Sequence, residues 1–161
     1  MSLTKLETRE AKMTIEFARR GAGKYYPIGN LKKIAASILK ALEQSPGELS
    51  VALVGDQEMR SLNAKYRKKK KTTDVLSFSA DPALTSETGL LGDVIISVEQ
   101  AKRQAKERNH SLKKEMATLL IHGILHLLGY DHERSQRQAK IMVRLEQKLM
   151  GYLCERGLIK L

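Results

Sequence analysis

The stretch from His122 to His132 constrains this chain more than any other. His122 and His126 stand four residues apart inside an apolar run, Met116 to Leu128. At that spacing two side chains share one face of an α-helix, one turn apart. Gly129 follows, a residue free to adopt positive φ, so the helix can stop there and the chain can turn back. His132 comes three residues after that bend. Three imidazoles brought together from a helix and the turn behind it make a three-nitrogen metal site with a fourth position for water. That is the catalytic rather than the structural zinc arrangement. The competing reading is a pair of core histidines satisfied by backbone groups. Each neutral ring carries a donor and an acceptor that both need partners once buried, and one shared cation answers both acceptors at once. The expectation is therefore one Zn²⁺ held by His122, His126 and His132.

The pattern His-x-x-x-His-x-x-Gly-x-x-His is similar to that of the metzincin zinc proteases, with one departure. Those enzymes carry glutamate directly after the first histidine, as the general base for peptide hydrolysis. This chain has Gly123 there. The metal cage is kept and the protease base is gone, which points to another hydrolytic reaction or to a metal used differently.

Charge narrows the substrate. Lysine and arginine total 29 against 18 aspartates and glutamates, a formal net charge of +11. A field of that size favours a polyanionic partner such as nucleic acid. The densest charge runs from Lys65 to Lys71, where six of seven residues are basic and the seventh is Tyr66. A run of this kind often only faces water; beside a metal site it also suits phosphate oxygens. At 161 residues with 42% hydrophobic content, the expectation is one globular domain over residues 1–161. Cys154 is the only cysteine, so no internal disulfide forms and a reducing compartment fits. Met1 to Lys12 lacks an apolar core of signal-peptide length, and no apolar run reaches the roughly 20 residues a bilayer requires. The expectation is a cytoplasmic protein without a membrane span and without a dinucleotide cofactor.

Periodicity gives the order β-α-β-α-β-β-α-α-α. Lys12 to Arg19 alternates as a strand, with Met13, Ile15 and Phe17 on one face. Gly21 to Gly29 reads as a loop, and Asn30 as the N-cap of a helix to about Glu43. Ser45-Pro46-Gly47 reads as a turn. Leu49 to Val54 is a strand, followed through Gly55 and Asp56 by a helix from Gln57 to about Arg67. Thr73 to Ser79 and Leu90 to Ser97 are strands, with Asp81 to Gly89 as the loop between them. Val98 to about Asn109 is a polar helix, Ser111 caps the histidine helix, and Ser135 to about Leu153 is the last.

With these residues in hand, the chain resembles the YbeY family of bacterial endoribonucleases, involved in rRNA maturation and ribosome quality control. The motif His-Gly-x-Leu-His-Leu-x-Gly-Tyr-Asp-His matches in full from His122 to His132. Leu62-Asn63, Tyr66-Arg67 and Thr73 to Phe78 look like the family's upstream blocks, Leu91-Gly92-Asp93 fits the next, and Met142 with Glu146 fits the last helix. The chain departs from the family at Lys68 to Thr72, where Gly-Lys-Asp and a proline are usual, and at Ser79, where a proline is usual. The resemblance implies an α+β fold, a small mixed sheet of about four strands with about five helices, the central helix carrying a metzincin-like metal site. It implies a zinc-dependent endoribonuclease specific for single strands, acting on small-subunit rRNA at its 3′ end, with rRNA and the ribosome as partners. It also marks Arg67 as the catalytic residue that holds the phosphate.

The remaining polar groups stay open at this stage. Asp131 can orient a ligating ring, replace His132 as third ligand, or face solvent. Asp93 reads as a turn residue sooner than a cleft residue, Tyr130 as a packing residue, and His110 as a solvent-exposed linker residue. The metal can activate water, or act as a Lewis acid while the RNA 2′-hydroxyl attacks. Two other classes compete with the nuclease: a ribosome-assembly factor with a structural metal, and a metalloprotease.

Overall fold

The computed structural model describes residues 13–44 and 47–160. Strand β1 (Thr14–Arg19) leads through a short 3₁₀ helix, Gly21–Tyr25, to helix α1 (Gly29–Ala41). Then follow β2 (Glu48–Val54), α2 (Asp56–Arg67), β3 (Val75–Ser79), α3 (Pro82–Thr88), β4 (Leu90–Ser97), α4 (Val98–Glu107), α5 (Leu112–Leu127) and α6 (Gln136–Glu155). The sheet order is β1-β2-β4-β3. β1, β2 and β4 run parallel, and β3 pairs antiparallel to β4 at the edge. The fold is α+β with a mixed four-stranded sheet.

Burial on the sheet explains its sequence. β4 is central and covered on both sides, so it reads as a nearly continuous apolar run rather than an alternation. Val94 and Ile96 face the larger core, built with Leu31, Ile38, Leu120, Ile124 and Met142 from α1, α5 and α6. Ile95 faces the smaller one, with Val54, Leu76 and Met59 of α2. α5 therefore lies on one face of the sheet and α2 on the other.

Gly123 sets how close α5 comes. A Cβ at this position would lie 2.6 Å from Val94 Cγ1 and 3.2 Å from Ser77 Oγ. Without one, the Ser77 hydroxyl donates to the Gly123 carbonyl at 3.1 Å and ties the helix to the edge strand. The residue that replaces the protease glutamate thus looks into the sheet.

Four expectations change. The segment Asp81 to Gly89 is not a loop but contains α3. Asp81 Oδ1 accepts from the Ala83 N–H at 2.8 Å, Pro82 occupies the first turn, and Gly89 closes the helix at φ 75°. Asp-Pro and a later glycine punctuate a short helix as well as a turn, so the helices number six among the described residues. Gly21 to Tyr25 forms a 3₁₀ helix where a loop was expected, pressed so closely on β2 that a Cβ at Gly23 would lie 2.1 Å from the Leu53 carbonyl oxygen. α1 starts before Asn30, with Ile28 at the cap and no side-chain cap bond. Asp93 lies inside β4, exposed and paired in register with Phe78, so it is neither a turn nor a cleft residue. Lys12 at the head of the expected first strand, the Ser45-Pro46 part of the expected turn, and Met1 to Lys12, read as lacking a signal-peptide core, lie outside the described residues.

Candidate metal centre

Three of the four histidines meet at the C-terminal end of α5. Ser111 caps this helix, its Oγ accepting from the Lys114 N–H at 3.1 Å. At the other end Gly129 adopts φ 95°, and the N–H groups of Gly129 and Tyr130 donate to the carbonyls of His126 and Leu125. The left-handed glycine reverses the chain, and Tyr130 packs half-buried against the larger core. That reversal delivers His132 opposite the two helical rings.

The ring centroids of His122, His126 and His132 lie 4.6, 5.4 and 5.5 Å apart in pairs. One ligand nitrogen from each falls within 4.8 Å of the others. The Nε2 atoms of His122 and His126 stand 3.1 Å apart. Two nitrogens bound tetrahedrally at ~2.0–2.1 Å would sit roughly 3.3 Å apart. Geometry and donor chemistry both fit a single metal ion. Asp131 is not in this group; among the described residues the cluster is histidine alone.

A carboxylate fixes the orientation of the first ring. Glu146 Oε1 of α6 lies 2.7 Å from His122 Nδ1. A carboxylate only accepts, so Nδ1 carries the proton and the Nε2 lone pair is free to face the cleft. In the sequence, Asp131 is one candidate for this task, beside a place as third ligand or a solvent-facing role. Asp131 instead accepts from the Glu133 N–H at 2.9 Å and lies 3.7 Å from Arg134, holding the turn that carries His132. The signal for Glu146 was present: it falls in line with Met142, Leu149 and Leu153, the buried stripe of α6. A lone acid on an apolar stripe needs a partner on the facing helix.

His126 titrates below the ordinary histidine value. Burial lowers it first, followed by the neighbouring His122 and His132 and by Arg67; Asp131 opposes them. A ring held neutral is the form that binds a metal.

The histidines open onto a cleft of about 470 Å³. Arg67, the last residue of α2, lines it from across the sheet edge, with Thr73, Asp74 and Ser77 along its floor and Asp131 and Glu133 on the far wall. Lys68 caps α2 at φ 56°, a left-handed turn that starts the exposed lysine run beside the cleft. The structure therefore brings together all four residues that the sequence singled out. Glu146, Thr73 and Ser77 are added to them.

His110 is absent from this group. It is not a solvent-exposed linker residue: its Nε2 meets Glu115 Oε2, and Glu115 is fully buried and also paired with Arg108 at 2.7 Å.

Comparison with known proteins follows the same residues. Residues 23–153 match the family described as Endoribonuclease YbeY. A protein named Endoribonuclease YbeY from Myxococcus xanthus is 47% identical over 161 residues, covering 99% of this chain and 53% of that relative. One of the same name from Sulfurihydrogenibium sp. is 47% identical over 126 residues, covering 78% and 83%. The chain thus spans about half the length of the Myxococcus protein. The solution structure of TM1509 from Thermotoga maritima superposes with a TM-score of 0.65 at 28% identity, covering 89% of this chain and 91% of that one. No helix among the described residues is long and apolar enough to cross a membrane.

Proposed function

The chain belongs to the endoribonuclease YbeY family, a family of RNA-cleaving enzymes, and from that premise we propose that it cuts single-stranded RNA at a Zn²⁺ centre held by His122, His126 and His132. The proposed setting is the cytoplasm, in rRNA processing at the 3′ end of the small-subunit RNA and in ribosome quality control. The observation that carries the reading is the convergence of three imidazole nitrogens within 4.8 Å, in a cleft that also holds a guanidinium.

When bound, Zn²⁺ supplies Lewis acidity and makes water acidic near neutrality. The chain's own residues supply the rest. Glu146 keeps the proton on His122 Nδ1, so the ring presents Nε2 to the metal. Burial, with His122 and His132 beside it, lowers the His126 pKa and so favours the neutral ring that a metal binds. Arg67 binds the scissile phosphate with its planar fork and stabilises the charge that builds on the non-bridging oxygens. Thr73 and Ser77 offer hydroxyls along the floor for ribose or phosphate oxygens. Lys68 to Lys71, exposed next to Arg67, attract the strand on either side of the cut.

Two observations weigh against the alternatives. Gly123 is buried against Val94, so the position of the protease glutamate has no access to the cleft. The core of α1, α5, α6 and the sheet is built from apolar side chains, while three histidines, not four ligands, line an open cleft, as a site that keeps a position for water requires.

The test is elemental analysis and cleavage of a labelled single-stranded RNA by nuclease-free protein. His122→Ala is expected to lose both metal and cleavage. Arg67→Glu is expected to keep the metal and lose cleavage by about 10²-fold or more. Cleavage undiminished by His122→Ala sinks the nuclease reading. Chelation that unfolds the protein, with no turnover by the loaded form, turns the site into a structural one.

A further inference from the structure

We propose that a second cavity, at the opposite end of α5 from the histidines, is a subsite that stacks one base of the RNA strand and holds the adjoining phosphate. This rests on the RNA-cleaving reading and adds to it a place where the strand is gripped away from the cut. The cavity holds about 590 Å³. One wall is the link from the 3₁₀ helix to α1, with Tyr25 and Pro27; the other is the start of α4 and α5, with Lys102, Leu112 and Lys113.

Three features point to a nucleotide. The first is Tyr25, which is 86% exposed. A ring left in water contributes almost nothing to the core, yet a flat aromatic face in a cavity is a platform for a base of any identity. The second is charge. The only formally charged side chains on the walls are the two lysines, and among the described residues neither makes an ion pair. Two free ammonium groups beside an aromatic face complement a base with its phosphate, and no acidic side chain stands there to repel one.

The third is a parallel with the cleft. Tyr66 is the other large exposed aromatic among the described residues, at 54%, and it adjoins Arg67 with Lys65 Nζ 5.2 Å from its ring centre. Tyr66 packs edge-on against Phe78 at 5.1 Å between ring centres, so one exposed tyrosine stands at the second cavity and another beside the arginine proposed to bind phosphate. The two sites are joined by a rigid element: Lys113 and His122 lie on α5 nine residues apart, roughly 14 Å along its axis. Nine residues are about two and a half turns, so the two side chains lie on opposite faces of α5 and a joining strand must also pass half-way round the helix, a path that a strand of about twelve nucleotides covers and one of about three does not.

The experiment is fluorescence anisotropy on the zinc-loaded protein with labelled oligouridylates of about three and about twelve nucleotides. Tyr25→Ala is expected to weaken the long strand about tenfold and leave the short one unchanged; Tyr25→Phe keeps the affinity of the parent. Lys102→Gln with Lys113→Gln is expected to reduce the salt slope for the long strand by roughly 1.4, the value for two single-strand phosphate contacts. Metal content and cleavage of the short strand stay at the parent level. The proposal is overturned if the long strand binds Tyr25→Ala as tightly as the parent while Arg67→Glu weakens it, or if both lengths weaken equally. If the parent protein binds neither length, the RNA reading itself fails, and the subsite with it.

Discussion

His122 and His110 each rest a ring nitrogen on a glutamate, and the two pairs sit at opposite ends of one helix. At the C-terminal end, Glu146 reaches across from α6 to His122, and both side chains are about 30% exposed. At the N-terminal end, Glu115 is completely buried and receives Arg108 together with His110. The chemistry of the two contacts is the same; what differs is the other side of the ring. Behind His122 stand two more imidazole nitrogens and a cleft. The Glu115 pair is a closed circuit: an acid in the first turn of α5, where the helix dipole favours negative charge, clamped by the Arg108 guanidinium and the His110 ring nitrogen from the end of α4 and the linker after it. An imidazole–carboxylate pair orients a ligand only where the far nitrogen has somewhere to point. Elsewhere it is a clasp.

The difference can be broken from either side, and the larger effect lies in the clasp. Replacing Arg108 and His110 together by alanine strips both partners from a carboxylate with no exposure. The expected loss is about 3–5 kcal/mol in urea unfolding, with zinc content per folded molecule unchanged. Adding Glu115→Met to that background removes the stranded charge and is expected to restore most of the stability, because a well-packed apolar group substitutes for a buried ion pair. Loss of zinc from the folded double variant would show that the two ends of α5 are coupled. At the open pair the readouts exchange. Glu146→Gln is expected to lower zinc affinity by about 10–100-fold in a competition titration, since an amide no longer fixes the ring proton as firmly. The same change is expected to cost under about 1 kcal/mol of metal-free stability, as befits a half-exposed pair. A variant that lost stability and kept its zinc affinity would make Glu146 another clasp.

The sequence made one of these pairs half legible and concealed the other. The three histidines could be found because spacing along a helix and a glycine stop are local facts, and α5 and Gly129 obey them. The sheet strands were legible for the same reason. Glu146 and Glu115 depend on which helix faces which, and no period within one element records that. Glu115 in particular reads as an ordinary helix acid, and His110 as a linker residue, until α4 and α5 are packed against each other. The cavity at Tyr25 is invisible for a further reason: its walls come from four separate elements, the 3₁₀ helix, α1, α4 and α5. Asp81-Pro82 failed differently. An N-cap with a first-turn proline and the start of a turn use the same two residues, so Asp81-Pro82 cannot tell them apart.

A third carboxylate gives the mildest test of the distinction between clasp and ligand-orienter. Asp56, at the start of α2, accepts from Ser97 at 3.0 Å and Thr72 at 3.3 Å and pairs with Arg103 at 2.7 Å. It therefore ties α2 to α4, to the end of β4 and to the loop that leads into β3. Burial by itself would raise its pKa, but the bonds from Arg103, Ser97 and Thr72 outweigh burial and hold it below the ordinary aspartate value. A carboxyl depressed in the folded state adds stability above its unfolded pKa of about 3.9, and that stability drains away as pH falls through the lower folded value. Arg103 is 47% exposed, so solvent screens much of the pair. Arg103→Gln is accordingly expected to cost less than about 1 kcal/mol at pH 7. That difference from the parent should shrink on acidification and vanish once Asp56 is protonated in both proteins. Urea midpoints measured at neutral pH and again well into the acid range decide it. A gap that widens on acidification would mean that Arg103 acts through some other group. Zinc affinity at pH 7 is expected to stay at the parent value, because Asp56 fastens elements together and orients no ring.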